Sequence, residues 1–200
     1  MPLLCPDARI YSSRLRSGFF SREDWVKITD AAGLLSEAPL YIDDSPDVTA
    51  MTIRAKARRL KMEKDLGLIF IDYLQLMRGP AHTERRDLEI SEISRSLKAL
   101  AKELELPVIA LSQLNRKLEE RSDKRPQLAD LRESGALEQD ADVVIFLNRP
   151  ELVDTDNPDL EGKAEMIIGK QRNGPVGKID LVFVKKYATF HDPDPHEERT

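Results

Sequence analysis

The chain has 200 residues, enough for a domain with one real core, and its 40% apolar and 34% charged residues are ordinary for a globular protein. A net charge of −5 excludes a surface that is basic throughout, although it allows basic loops inside a ring with an acidic exterior. One cysteine, Cys5, excludes an internal disulfide and a Cys-based metal cluster and fits a reducing cytoplasm. No apolar run reaches the roughly 20 residues of a membrane helix, and Met1 to Cys5 is too short for the apolar segment of a signal peptide. His82, His191 and His196 lack metal-ligand spacing on a common element.

In chain order, the first forty residues read as helical. Ser21 followed by Asp24 resembles a capping box, and Trp25, Ile28, Ala31, Ala32 and Leu35 follow at helical spacing until Pro39. Leu40 to Ile42 is a short apolar run ending in Asp43 and Asp44. A helix from about Val48 to Lys64 comes next, with Ile53, Ala57 and Leu60 on one face. Leu68 to Ile71 is a second run, ending in Asp72. A long amphipathic helix over about Glu84 to Glu105 carries the stripe Ile90, Ile93, Leu97, Leu100 and Leu104. Val108 to Leu111, ending in Ser112 and Gln113, and Ala141 to Leu147, ending in Asn148 and Arg149, are the third and fourth runs. Apolar strands alternating with amphipathic helices predict an α/β fold, its mostly parallel sheet covered on both faces. Ala164 to Ile168 and Ile179 to Val184 flank Asn173-Gly174-Pro175 and predict an antiparallel hairpin at the sheet edge. The Pro-rich, charged residues 191–200 are expected to be a disordered tail.

Ligands of an open parallel sheet bind beyond the carboxyl ends of its strands, and those ends are polar here. Asp72 follows four apolar residues, as the magnesium-orienting aspartate of a nucleotide-binding strand does; a strand-end Asp capping the next turn is the alternative. Gln113 can touch a phosphate or an attacking water, or else bond a loop backbone. Arg132-Glu133-Ser134-Gly135 offers a charged fork and free backbone N–H groups that suit phosphate, or a helix-opening turn with solvated charges. Lys170 and Arg172, two apart in a strand, project from one face. They can reach a phosphate on a neighbouring subunit, or protect an edge strand by charge. Arg54, Lys56, Arg58, Arg59, Lys61 and Lys64 read as a solvated helix face, and Trp25 as a packed residue. Aromatics at 6% give little support to recognition by base stacking.

Together and in order, these segments resemble the DnaB-type replicative DNA helicases. The strings that carry the resemblance are IFIDYLQLM around Asp72, ALSQLNR around Gln113, RPQLADLRESGALEQDADVVIFLNRPE from Arg125 to Glu151, and IIGKQRNGPVGK from Ile167 to Lys178. LRSGFFSREDW and APLYIDD look like the family too. The resemblance implies a RecA-like P-loop NTPase core and a homohexameric ring driven by ATP and Mg2+ in the 5′-to-3′ direction on single-stranded DNA. Primase and a helicase loader are the implied partners. It further implies that Asp72 orients magnesium and that Gln113 senses phosphate. Lys170 and Arg172 then reach a neighbour's γ-phosphate, and Arg132, Glu133 and Gly135 follow the DNA backbone in the pore.

The sequence departs from that pattern in holding no G-x-x-x-x-G-K-[ST]. The family resemblance places that loop upstream, so the expectation is a fragment of a longer chain, inactive by itself. Residues 1–190 would form a truncated motor domain, 1–38 its helical lead-in and 39–190 its sheet core. A non-catalytic RecA-fold interaction domain and a relative of RecA-type recombinases are the competing readings.

Overall fold

A computed structural model describes residues 8–10, 18, 20–79, 86–115, 118, 120–121 and 123–193, with the backbone alone at 132–134. The helices are α1 (Arg22–Glu37), α2 (Ala50–Lys64), α3 (Arg86–Leu104) and α4 (Gly135–Asp140). The strands are β1 (Ile69–Ile71), β2 (Val108–Ala110), β3 (Val143–Asn148), β4 (Lys163–Gln171), β5 (Gly177–Val184) and β6 (Thr189–His191). The chain divides into two compact units. One comprises Met1–Asp43, Leu147–Ile167 and Lys178–Thr200; the other comprises Asp44–Phe146 and Ile168–Gly177.

In the second unit, β1 and β2 pair in parallel, with Ile71 opposite Ala110. Their alternation buries Ile71 and half-buries Ile69, Val108 and Ala110 against the apolar stripe of α3, where Ile90, Ile93, Leu97 and Leu100 are buried. Ile53 of α2 packs on the same cluster, and Ala57 is buried. The opposite face is open among the described residues: Phe70 is 57% and Ile109 47% exposed. The expected cover on both faces is therefore present on one.

The first unit holds α1. Its capping box is formed as predicted, Asp24 N donating to Ser21 Oγ at 3.0 Å and Ser21 N to Asp24 Oδ2 at 3.1 Å. Ala31 is buried against Ala8, Ile10 and Ile28. Trp25, expected to pack, is 59% exposed and meets Phe20 at 5.9 Å between ring centroids. The inward face runs Asp24, Ile28, Ala31 and Leu35, which turns Trp25 and Ala32 outward.

Leu40 to Ile42 is not a strand. Pairing makes a strand, and the bond from Leu40 N to Ala38 O at 2.7 Å is local, while all three side chains are exposed. The fourth apolar run, β3, joins a second sheet of order β3-β4-β5-β6. Asn148 at the end of β3 bonds Glu165 near the start of β4, and Arg172 N beyond the far end of β4 bonds Asp142 O before β3, so this pair is antiparallel. β4 and β5 are joined by too short a turn for a parallel crossover, and β5 pairs antiparallel with β6. The hairpin thus has neighbours on both sides. His191, placed in the expected tail, ends β6, and residues 194–200 lie outside the described residues.

Candidate functional site

The parallel register places Asp72 and Gln113 at the same end of β1–β2. The ladder continues past the strands, with Leu111 N donating to Ile71 O and Leu74 N to Leu111 O, each at 2.9 Å. Asp72 leaves this ladder with its carboxylate exposed. Gln75, which sequence reading passed over within IFIDYLQLM, fixes the neighbouring loop. Its Oε1 accepts from Gln113 N at 3.2 Å, and its Nε2 donates to Ser112 Oγ at 3.0 Å and Gln113 O at 3.4 Å. The backbone of Gln113 is therefore held on both sides and its side chain is left exposed.

The segment ahead of α4 is pinned by Asp130, which is buried. Its Oδ2 accepts from Gln127 N at 2.8 Å and from Arg121 Nη2 at 3.0 Å, and its carbonyl accepts from Asn115 N at 3.1 Å. Asp130 lies within a 3-10 helix over Leu128–Ser134, and Gly135 opens α4. The side chains of residues 132–134 lie outside the described residues, so the roles expected of Arg132 and Glu133 carry no side-chain geometry; Gly135 is exposed.

Lys170 and Arg172 share one face, as their spacing predicts, and both turn to the carboxyl end of α4. Lys170 Nζ donates to the carbonyls of Glu138 and Gln139, the latter at 3.3 Å, and Arg172 Nη2 to Gln139 O at 3.0 Å. Because β4 lies between β3 and β5, protection of an edge strand does not account for these cations. Just before them, Gly169 leaves room for a ring: a Cβ there would lie 2.6 Å from Phe146 Cε2. Among the described residues, no hydrogen bond or ion pair joins Lys170 or Arg172 to Asp72 or Gln113.

Arg54 and Arg58 of α2 are exposed, as expected of a solvated face, and pair with Glu103 of α3. A polar cluster that the sequence did not signal surrounds Glu151, which is buried. It accepts from Arg149 Nε at 3.1 Å and Gly162 N at 3.0 Å, and Lys185 Nζ lies 3.0 Å away. Arg149 also stacks 3.7 Å over the Phe183 ring. These donors, Arg149 first, hold the Glu151 carboxyl down at about 2.

A helix-backed parallel strand pair with an aspartate at its carboxyl end belongs to the α/β class that includes the RecA-like ATPase domains. Solved structures share that fold. One solved ATPase domain is 39% identical with a TM-score of 0.89, covering 96% of this chain and 69% of that one. A DnaB-like replicative helicase, solved with its interactions with primase, is 39% identical with a TM-score of 0.87, covering 96% and 48%. The chain belongs to the DnaB-like helicase C-terminal domain family, whose model matches residues 1–192. It is 56% identical to the replicative DNA helicase DnaB of Geobacillus stearothermophilus and 52% identical to the replicative DNA helicase DnaC of Bacillus subtilis strain 168. It spans 95% of its own length and 42% of theirs in both matches.

Proposed function

We propose that this chain is the C-terminal portion of the motor of a replicative DNA helicase. The complete protein uses ATP with Mg2+ to move 5′-to-3′ along single-stranded DNA as a homohexamer and to open duplex DNA at the replication fork, in the cytoplasm. The motor runs through His191, which completes β6, and the Pro-rich, charged residues beyond it form the tail. Primase and a loader are its partners; the primase interaction named for the similar DnaB-like helicase supports the first. No helix among the described residues is long and apolar enough to cross a membrane.

The observation that carries this reading is the meeting of Asp72 and Gln113 at one end of β1–β2, in a chain of this family. The donor set fits magnesium in a limited way. Magnesium accepts one carboxylate completed by water and phosphate oxygens, and Asp72 is an exposed carboxylate of that kind. Among the described residues no cluster of three His, Cys, Asp or Glu side chains could hold a metal without such help. Bound Mg2+ neutralises charge on the phosphates of ATP. Asp72 orients the ion and its waters, and the Gln113 amide, on a backbone fixed by Gln75, senses the phosphate. Lys170 and Arg172 present charge to a neighbouring subunit's phosphate, and Arg132, Glu133 and Gly135 follow the DNA backbone.

Mixed hexamers of the complete helicase test the reading. Asp72→Ala and Arg172→Ala rings should each lose ATP turnover by roughly 10³-fold or more. Rings mixing the two variants should recover part of it, because some interfaces then carry both intact halves. Mixtures that recover nothing at any ratio, in single-turnover measurements that bypass ring-wide coordination, would refute the in-trans role.

A further inference from the structure

Lys170 of β4 and Arg172, just beyond its end, share a seat with Asp142. α4 has six residues, and its last carbonyls lack partners within the helix. Lys170 and Arg172 supply donors to the carbonyls of Glu138 and Gln139, where the partial negative charge of a helix end favours cations. Asp142, just past that end, closes the arrangement. Its Oδ1 lies 3.2 Å from Arg172 Nη1, its carbonyl accepts from Arg172 N at 2.9 Å, and its Oδ2 pairs with Lys98 of α3. The Asp142 carboxyl is accordingly held below its ordinary range, by Lys98 first, with Arg172 and Lys170 adding. Ser94 of α3 donates to Asp140 Oδ2 at 2.8 Å, which fixes the same helix end from below.

Given the proposal that Lys170 and Arg172 meet a neighbouring subunit's phosphate, we infer that Asp142 is a positioning residue for Arg172, and that α4 links the aim of this cation pair to the DNA-following backbone at residues 132–135. Asp142 and the Gln139 carbonyl together hold one edge of the guanidinium, which sets its plane. Nε and the remaining Nη hydrogens stay available for oxyanions. With the Asp142 side chain 56% and Arg172 50% exposed, the pair contributes little to stability. Orientation is what it can supply. α4 starts at Gly135 and spans about 9 Å at ~1.5 Å per residue, so a shift of its first residue is passed to the Gln139 carbonyl through one stiff element.

The test uses the complete helicase, with kcat and KM for ATP measured with and without single-stranded DNA. Asp142→Asn should lower the DNA-stimulated kcat on the order of tenfold while KM moves by less than about twofold, the pattern of a misaimed transition-state group. The unstimulated rate should fall less, so the stimulation ratio drops. Asp142→Glu should restore part of the loss, and Asp142→Asn should add nothing in an Arg172→Ala background. Wild-type kinetics in Asp142→Asn beside a damaged Arg172→Ala would overturn the inference alone, as would losses that multiply in the double variant or fall equally on both rates. Wild-type turnover in Arg172→Ala would remove the phosphate-facing reading and this inference with it. Circular dichroism melts and Lys98→Ala separate positioning from folding: a Lys98→Ala enzyme that melts lower yet keeps its stimulation ratio supports it.

Discussion

Glu151 is buried and ionised because Arg149, the Gly162 amide and Lys185 replace the water it has lost. Its folded pKa of about 2 lies below the ordinary 4.5, so its contribution to stability is present above pH 4.5 and is lost as pH falls from there toward 2. Glu151→Gln should cost about 1–3 kcal/mol at neutral pH, since Arg149 and the Gly162 amide keep a weaker partner. Urea unfolding followed by circular dichroism should show the gap between wild type and variant narrowing below pH 4.5; a gap independent of pH would contradict it. Arg132 is proposed to hold phosphate without reading bases, on a segment from Arg132 to Leu137 that has no aromatic residue. In the complete helicase, Arg132→Ala should weaken single-strand binding equally across base compositions. It should also flatten the slope of log affinity against log salt by roughly 0.7. A salt titration on oligonucleotides of several compositions measures both, and an unchanged slope would leave Arg132 as a solvated charge.

The elements differ in how far their own residues determine them. α3 has a five-residue apolar stripe at helical spacing, and the structure buries four of its members and half-buries Leu104. β4 depends on its neighbours, as Gly169 shows. Glycine weakens a strand interior, yet here the missing side chain is the space that buried Phe146 occupies. Gly169→Ala should therefore destabilise the protein by about 1–3 kcal/mol through overpacking, with partial recovery when Phe146→Leu is added. Thermal melts of the two variants and their combination measure this coupling; additive losses would mean that the alanine methyl and the Phe146 ring do not compete.

At the scale of the molecule, the chain holds the magnesium-orienting aspartate and the phosphate-sensing amide of the proposed motor without a Gly-rich phosphate loop. Among the described residues, Phe70 and Ile109 leave one face of β1–β2 open, where a parallel sheet is ordinarily covered on both. The purified 200-residue chain should neither bind ATP tightly nor turn it over. Equilibrium nucleotide binding and turnover, with Asp72→Ala as the contamination control, decide this; robust turnover abolished in that variant would be the contrary result.

Local information was enough to determine α1 to α3 and the cores of β1 to β5, because periodicity and capping act within a few residues. The Ser21–Asp24 box, the α3 stripe and the strand ending at Asp72 needed nothing distant. The strings around Asp72, Gln113, Arg132 and Lys170 were likewise sufficient to indicate the family. Tertiary structure alone decided which strand pairs with which, since pairing partners are remote in sequence and apolar runs look alike. It left Leu40 to Ile42 unpaired and drew β3 into the antiparallel sheet. It also decided what the polar side chains do once the chain closes. The Gln75 amide seats Gln113 from 38 residues away. Gly169 yields its side-chain space to Phe146, and Asp142 meets Arg172 because strand pairing puts the start of β3 beside the end of β4.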